Sequence, residues 1–111
     1  MQWKTLTSDD QLQELIERSK ETPQVIFKHS NRCSISSVAF QRVDKAQKPA
    51  ATDFWLLDVI TQRPLSQQVA QRFGVPHESP QVLVVKNGEC VFDESHLGIS
   101  MQDIADQVQM A

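Results

Sequence analysis

A lone cysteine at the mouth of a helix can act as a nucleophile. Cys33 lies in the run Val25-Ile26-Phe27-Lys28-His29-Ser30-Asn31-Arg32-Cys33-Ser34-Ile35-Ser36, between an apolar strand and an amphipathic helix. A thiol in the first helical turn feels the positive end of the helix dipole and unpaired backbone N–H groups. Both favour thiolate, the form that attacks disulfides. Three residues on, where a dithiol motif carries its second cysteine, stands Ser36. The pattern predicts a one-cysteine redox centre. The plainer alternative is an inert buried cysteine, a common fate of free thiols.

The elements that must hold this thiol read as follows. Ser8-Asp9-Asp10-Gln11 resembles a capping box, Leu12, Leu15 and Ile16 follow at helical spacing, and Thr22-Pro23 ends the segment. Val25 to Lys28 is a strand. A second helix runs from about Cys33 to Ala46, with Ile35, Val38, Ala39 and Val43 directed inward. Phe54 to Ile60 is apolar nearly throughout, as suits a strand buried on both faces. Arg63-Pro64 opens a third helix that Gly74 closes. Val82 to Val85 is a strand, Asn87-Gly88 a two-residue hairpin turn, and Glu89 to Asp93 the returning strand. A last helix starts at Ser100, with Met101, Ile104, Ala105 and Val108 on one face. This order predicts an α/β domain over residues 1–111. Its central mixed four-stranded sheet is flanked by helices on both faces, the thioredoxin-like layout. In that layout the active thiol follows a strand and starts the next helix, as Cys33 does.

Bulk composition narrows the function. The length of 111 residues suits one modest core. A net charge of −3 gives no support to general nucleic-acid binding. No apolar run approaches membrane-spanning length. The stretch Met1-Gln2-Trp3-Lys4-Thr5 lacks the apolar core of a signal peptide, so a cytoplasmic, reducing setting is expected. Two cysteines are too few for a disulfide scaffold. No pair among His29, Cys33, His77, Cys90 and His96 has zinc-ligand spacing, so no metal is expected.

Several short pieces together resemble one family. They are Phe27-Lys28-His29-Ser30, Cys33-x-Ile35-Ser36, Leu57-Asp58-Val59-Ile60 with Arg63 and Ser66, His77-Glu78-Ser79-Pro80-Gln81, and Ser95-His96. In this order they are similar to the monothiol bacilliredoxins, the YtxJ family of bacillithiol-system proteins. The resemblance implies a thiol–disulfide oxidoreductase with no bound cofactor. Its co-substrate would be bacillithiol, a cysteinyl-glucosaminyl-malate thiol, or another low-molecular-weight thiol. Its partners would be S-thiolated client proteins and an external thiol reductant. The family usually has Cys-Pro-Ile-Ser, and here Ser34 replaces the proline. Ser34 restores a backbone donor near the sulfur and loosens the turn, which bears on thiol acidity and potential.

The resemblance also assigns roles. Cys33 is the nucleophile. Ser36, in the place of a resolving cysteine, leaves the cycle to a second thiol and is a candidate donor to the Cys33 thiolate. Pro80 is expected to be cis, beside the sulfur, leaving the Ser79 backbone free for an extended substrate. His29, Lys28 and Arg32 are candidate positive charges near the sulfur, although Lys28 and Arg32 suit solvated surface positions equally. His77 is a candidate lining of the same cleft. Cys90, alternating with Glu89 and Val91 and sharing a face with Phe92, reads as a core residue, the alternative being a distant resolving thiol. Two other functions remain open: a glutaredoxin-like enzyme using another thiol, and a thioredoxin-like adaptor without exchange activity.

Overall fold

The computed structural model describes residues 3–110; Met1 and Gln2, part of the N-terminal stretch read above, and Ala111 lie outside them. The strands are β1 (Lys4–Thr5), β2 (Gln24–His29), β3 (Asp53–Asp58), β4 (Gln81–Lys86) and β5 (Glu89–Ser95). The helices are α1 (Asp9–Arg18), α2 (Ser34–Lys45), α3 (Arg63–Phe73) and α4 (Met101–Gln109), with one 3₁₀ turn at His96–Gly98. The sheet order is β1-β3-β2-β4-β5, with β1 and β2 parallel to β3 and the β4–β5 hairpin antiparallel. The mixed sheet is as expected except for its count of five strands. The additional strand, β1, is two residues long, too short to show an alternating pattern, and it covers the edge of β3.

Alternation along β2 and β4 divides the core. Ile26, Trp55, Leu57, Leu83 and Val85 meet Leu12, Leu15, Leu65 and Val69 on the α1/α3 face. Val25, Phe27, Phe54, Val82 and Val84 meet Ala39, Val43, Ile104 and Val108 on the α2/α4 face. Each such fully buried aliphatic or aromatic side chain contributes about 1.5–3 kcal/mol relative to exposure. Local signals end the elements where expected. Ser8 and Ser100 cap α1 and α4 by accepting from Gln11 N and Asp103 N, both at 3.2 Å. Gly74 ends α3 at φ 67°, a left-handed value that costs a side chain about 1–2 kcal/mol. Asn87 and Gly88, at φ 54° and 77°, make the two-residue hairpin turn.

Two expectations about facing are corrected. Helix α2 begins at Ser34, with Cys33 as its N-cap, and its buried residues are Ser36, Ala39 and Val43. Ile35 and Val38 are 42% and 46% exposed, because the inward stripe runs 36–39–43 and leaves 35 and 38 beside it. On β5 the register shifts between Val84 and Val85, which pair with Phe92 and Cys90, so that Val91 is an extra residue. That bulge puts Cys90 against the α1/α3 core and Phe92 against the α2/α4 core, on opposite faces rather than one.

A polar knot closes the N-terminal end of β2. Asp53 accepts from Arg18 Nε and Gln24 Nε2, both at 2.8 Å, and pairs with Lys4 Nζ at 3.6 Å. Gln24 in turn accepts from Trp55 Nε1 at 2.8 Å. Burial alone would raise the Asp53 carboxyl. The hydrogen bonds from Gln24 and Arg18 and the charges of Lys4 and Arg18 outweigh it and hold the group below its usual 3.8. A carboxylate depressed in the fold stabilises it above the unfolded value, and that stability is lost as pH falls through the folded value. Asp53→Asn is therefore expected to be less stable than wild type in urea at pH 7. The difference should shrink as the pH is lowered below 3.8; a constant difference would show that the charge is not what matters.

Candidate active site

Three loops meet at the C-terminal end of β2, and pairing puts them there. The parallel register sets His29 against Asp58, so the β3–α3 loop leaves beside the β2–α2 turn, and Val59 N donates to His29 O at 3.0 Å. The antiparallel register sets Lys28 against Gln81, which delivers the α3–β4 loop, Pro76 to Pro80, to the same place. The Ser79–Pro80 bond is cis. Gln81 Nε2 donates to Pro76 O at 3.0 Å and pins that loop to β4.

Cys33 is half-buried and unpaired, a free thiol. Its backbone makes the turn, N–H to Ser30 O at 3.3 Å and C=O from Ser37 N at 3.1 Å, while its side chain makes no capping bond. Sγ is thus held at the first turn without being spent on the helix. Ser34 is exposed as the first helical residue, and Arg32 is exposed beside it.

Ser36 is fully buried and its hydroxyl locks the turn. Ser30 N–H donates to Oγ at 3.0 Å, and His29 Nδ1 lies 2.7 Å from it. Burial lowers the His29 pKa, against an opposing pull from Asp58, so the ring is neutral at pH 7 and Nδ1 can accept the one Ser36 proton. The ring also stacks on Phe40 at 5.0 Å. The Ser36 hydroxyl is thus engaged within the turn by Ser30 N–H and the His29 ring. Ser36 and His29 position the thiol's turn.

Lys28 corrects the surface reading given to it. It is fully buried, because Gln24, Ile26 and Lys28 share the β2 face that α1 and α3 cover. Its Nζ donates to Ser66 O at 3.1 Å and to His77 Nδ1 at 3.2 Å. Ser66 Oγ also lies 3.1 Å from His77 Nδ1. A lysine has only donors, so His77 Nδ1 accepts and Nε2 carries the ring proton. Burial pushes Lys28 down to about 8, and the His77 pKa is lowered by desolvation, Lys28 and Arg63, against an opposing pull from Glu78. Sequence reasoning named Lys28 as a candidate charge but missed its burial and its bonds to Ser66 and His77; its place in an otherwise apolar strand was the available signal.

Cys90 lies elsewhere. It pairs with Val85, which pairs with Gln24 at the far end of β2 from His29. Five strand steps of about 3.3 Å put roughly 16 Å between those ends, well beyond the ~7 Å Cα limit for a disulfide. Burial pushes its thiol up to about 11, and Sγ contacts Phe92 O at 3.2 Å, as befits a core residue. Among the described residues, no group of three or more His, Cys, Asp or Glu is placed to hold a metal ion, and no helix is long and apolar enough to cross a membrane. His96 stands 3.4 Å from Glu78 across the same end of the sheet.

Comparison with solved structures places this arrangement in the thioredoxin class. The chain is 34% identical to a candidate oxidoreductase with a thioredoxin fold, over 93% of this chain and 90% of that one, with a TM-score of 0.82. Thioredoxins from Malassezia sympodialis and Halobacterium salinarum (the latter a point mutant) share the fold. Their identities are 15% and 14%, their TM-scores 0.71 and 0.73, and each covers 96% of this chain, with 88% and 87% of their own chains matched. Residues 4–104 match the monothiol bacilliredoxin family BrxC, and the chain belongs to that family. Family and fold support a thiol–disulfide oxidoreductase-type role.

Two variants test the geometry. Ser36→Ala is expected to cost about 1–3 kcal/mol in urea unfolding, by stranding Ser30 N–H. For Lys28, a folded value of about 8 against 10.5 means that the unfolded chain binds more protons between those pH values. Stability attributable to this group should then rise with pH across that window. Lys28→Met should abolish the rise in parallel urea titrations; equal slopes for the two proteins would show that Lys28 is not buried as a cation.

Proposed function

We propose that the protein is a cytoplasmic monothiol bacilliredoxin that removes bacillithiol from S-bacillithiolated protein cysteines. The observation that carries this reading is the solitary thiol. Cys33 stands at the α2 N-terminus, a buried serine fills the resolving position, and Cys90 lies at the other end of the sheet. In the proposed step, the Cys33 thiolate attacks the bacillithiol sulfur of a client mixed disulfide. A Cys33–bacillithiol disulfide forms, and the client leaves as a thiolate, reduced by two electrons. With no second thiol in reach, a bacillithiol molecule or an external thiol reductant must attack next and restore Cys33.

The surroundings suit an extended thiolated segment. Ser79 precedes the cis proline, and its hydroxyl is enclosed without a hydrogen-bond partner among the described residues. A substrate backbone laid beside Ser79 would pair with its main chain. Exposed Ile35 and Val38 offer apolar surface next to Cys33 for the client chain.

The test is a discharge assay read by intact mass, with one client peptide capped by bacillithiol or by glutathione. Wild type should move bacillithiol from peptide to Cys33. Cys33→Ser should abolish transfer, and Cys90→Ser should retain the first step to within about two-fold, because a raised, half-buried thiol does not compete as nucleophile. Faster turnover of the glutathione cap would favour the glutaredoxin-like alternative. Transfer retained in Cys33→Ser would sink the reading.

A further inference from the structure

A cavity of about 300 Å³ opens at the start of α3, lined by Val59, Ile60, Arg63, Ser66, Gln67 and His77. Its volume is at the lower end of the range for small-molecule sites, about 300–1,000 Å³. It lies at the end of the sheet that carries Cys33, on the α3 side. The polar wall is built of donors: the Arg63 guanidinium, the Gln67 amide and the Nε2–H that His77 keeps while its Nδ1 accepts from Lys28.

Charge makes the wall unusual. Behind it sits the fully buried Lys28, whose partners are both neutral: a carbonyl and an imidazole. Lys28 takes part in no ion pair among the described residues. A buried cation without a counter-charge is costly, and an anion close by would relieve it. The acids at this end form no ion pair with Lys28 among the described residues. Asp58 Oδ1 is occupied by Ile60 N at 2.9 Å and Thr61 N at 3.2 Å, and Glu78 stands 3.4 Å from His96. Helix α3 adds its positive end, with no acidic residue in its first turn and no side chain capping it.

We propose that this cavity is the anion subsite of the small thiol, in which Arg63, Gln67 and His77 hold the malate carboxylates of bacillithiol while its sulfur lies toward Cys33. This deepens the function proposed above and rests on it. Val59 and Ile60 form the apolar side of the cavity, and Lys28 acts through His77 as a positioning residue, fixing the tautomer that donates.

S-methyl bacillithiol tests the subsite without any exchange chemistry, because its sulfur is blocked and its tail intact. It is titrated into reduced, ¹⁵N-labelled protein, in parallel with the S-methyl analogue that lacks the malyl group. Shifts should concentrate at Arg63, Gln67 and His77, and the malyl-free analogue should bind about ten-fold more weakly, as loss of charge-assisted hydrogen bonds dictates. Arg63→Gln, a substitution at an exposed position, should weaken S-methyl bacillithiol about ten-fold and leave the malyl-free analogue unchanged. Equal affinity for the two probes, undiminished binding in Arg63→Gln, shifts confined to other residues or no shift with either probe would each overturn the subsite. The discharge assay is read separately. Bacillithiol transfer without malyl-dependent binding would remove the subsite alone, and binding without transfer would remove the redox reading alone.

Discussion

The double pairing of β2 is the constraint on which the rest of the structure depends. One edge of this strand runs parallel to β3 and the other antiparallel to β4. The loop that follows β2, the loop that follows β3 and the loop that precedes β4 are therefore forced to one end of the sheet. Cys33, Val59 to Arg63 and His77 to Pro80 come from three distant parts of the chain and meet there for that reason alone. A parallel pair requires a crossover, and α2 is that crossover. The thiol at its first turn is thus placed by the sheet rather than by contacts of its own.

Both ends of β2 carry buried polar groups, and they are treated differently. At the N-terminal end, Gln24 and Asp53 are met by Trp55, Arg18 and Lys4, so the buried polar groups find partners and the carboxylate finds counter-charges. At the C-terminal end, Lys28 finds only neutral acceptors, and the Ser79 hydroxyl finds none. Imbalance of this kind lowers stability, and a fold tolerates it where binding or chemistry gains from it. The contrast lies within a single strand, so local composition does not explain it.

How far the fold was legible follows the same division. Stops and turns set by local chemistry were readable: the Ser8 and Ser100 caps, the Gly74 terminus, the Asn87-Gly88 turn. So was Cys33 as the residue between a strand and a helix. What escaped was set by tertiary context. The bulge at Val91 arises from pairing with β4 and reverses the facing of Cys90. The burial of Lys28 depends on α3 lying over β2, at which the apolar run of β2 only hints. Ile35 and Val38 look like core residues by type, yet the helix turns Ser36 inward, its hydroxyl held by His29 and Ser30. A polar residue thus joins Ala39 and Val43 on the inward face of α2, while two apolar ones stay outside.

That inversion bears on the chemistry. In a dithiol centre the fourth position of the motif must present a sulfur to its partner. Here the same position is buried in the turn's interior, its hydroxyl bonded to Ser30 N–H and to an imidazole stacked on Phe40. A serine at this position has no sulfur to offer in exchange, and the only other thiol is separated from Cys33 by the length of the sheet. On the proposed reading, every second step of the cycle must then be intermolecular. The small thiol bound to Cys33 has to remain exposed to an incoming nucleophile instead of being ejected from within. A site that grips the tail of that thiol away from the sulfur, and leaves the disulfide open, satisfies both requirements at once.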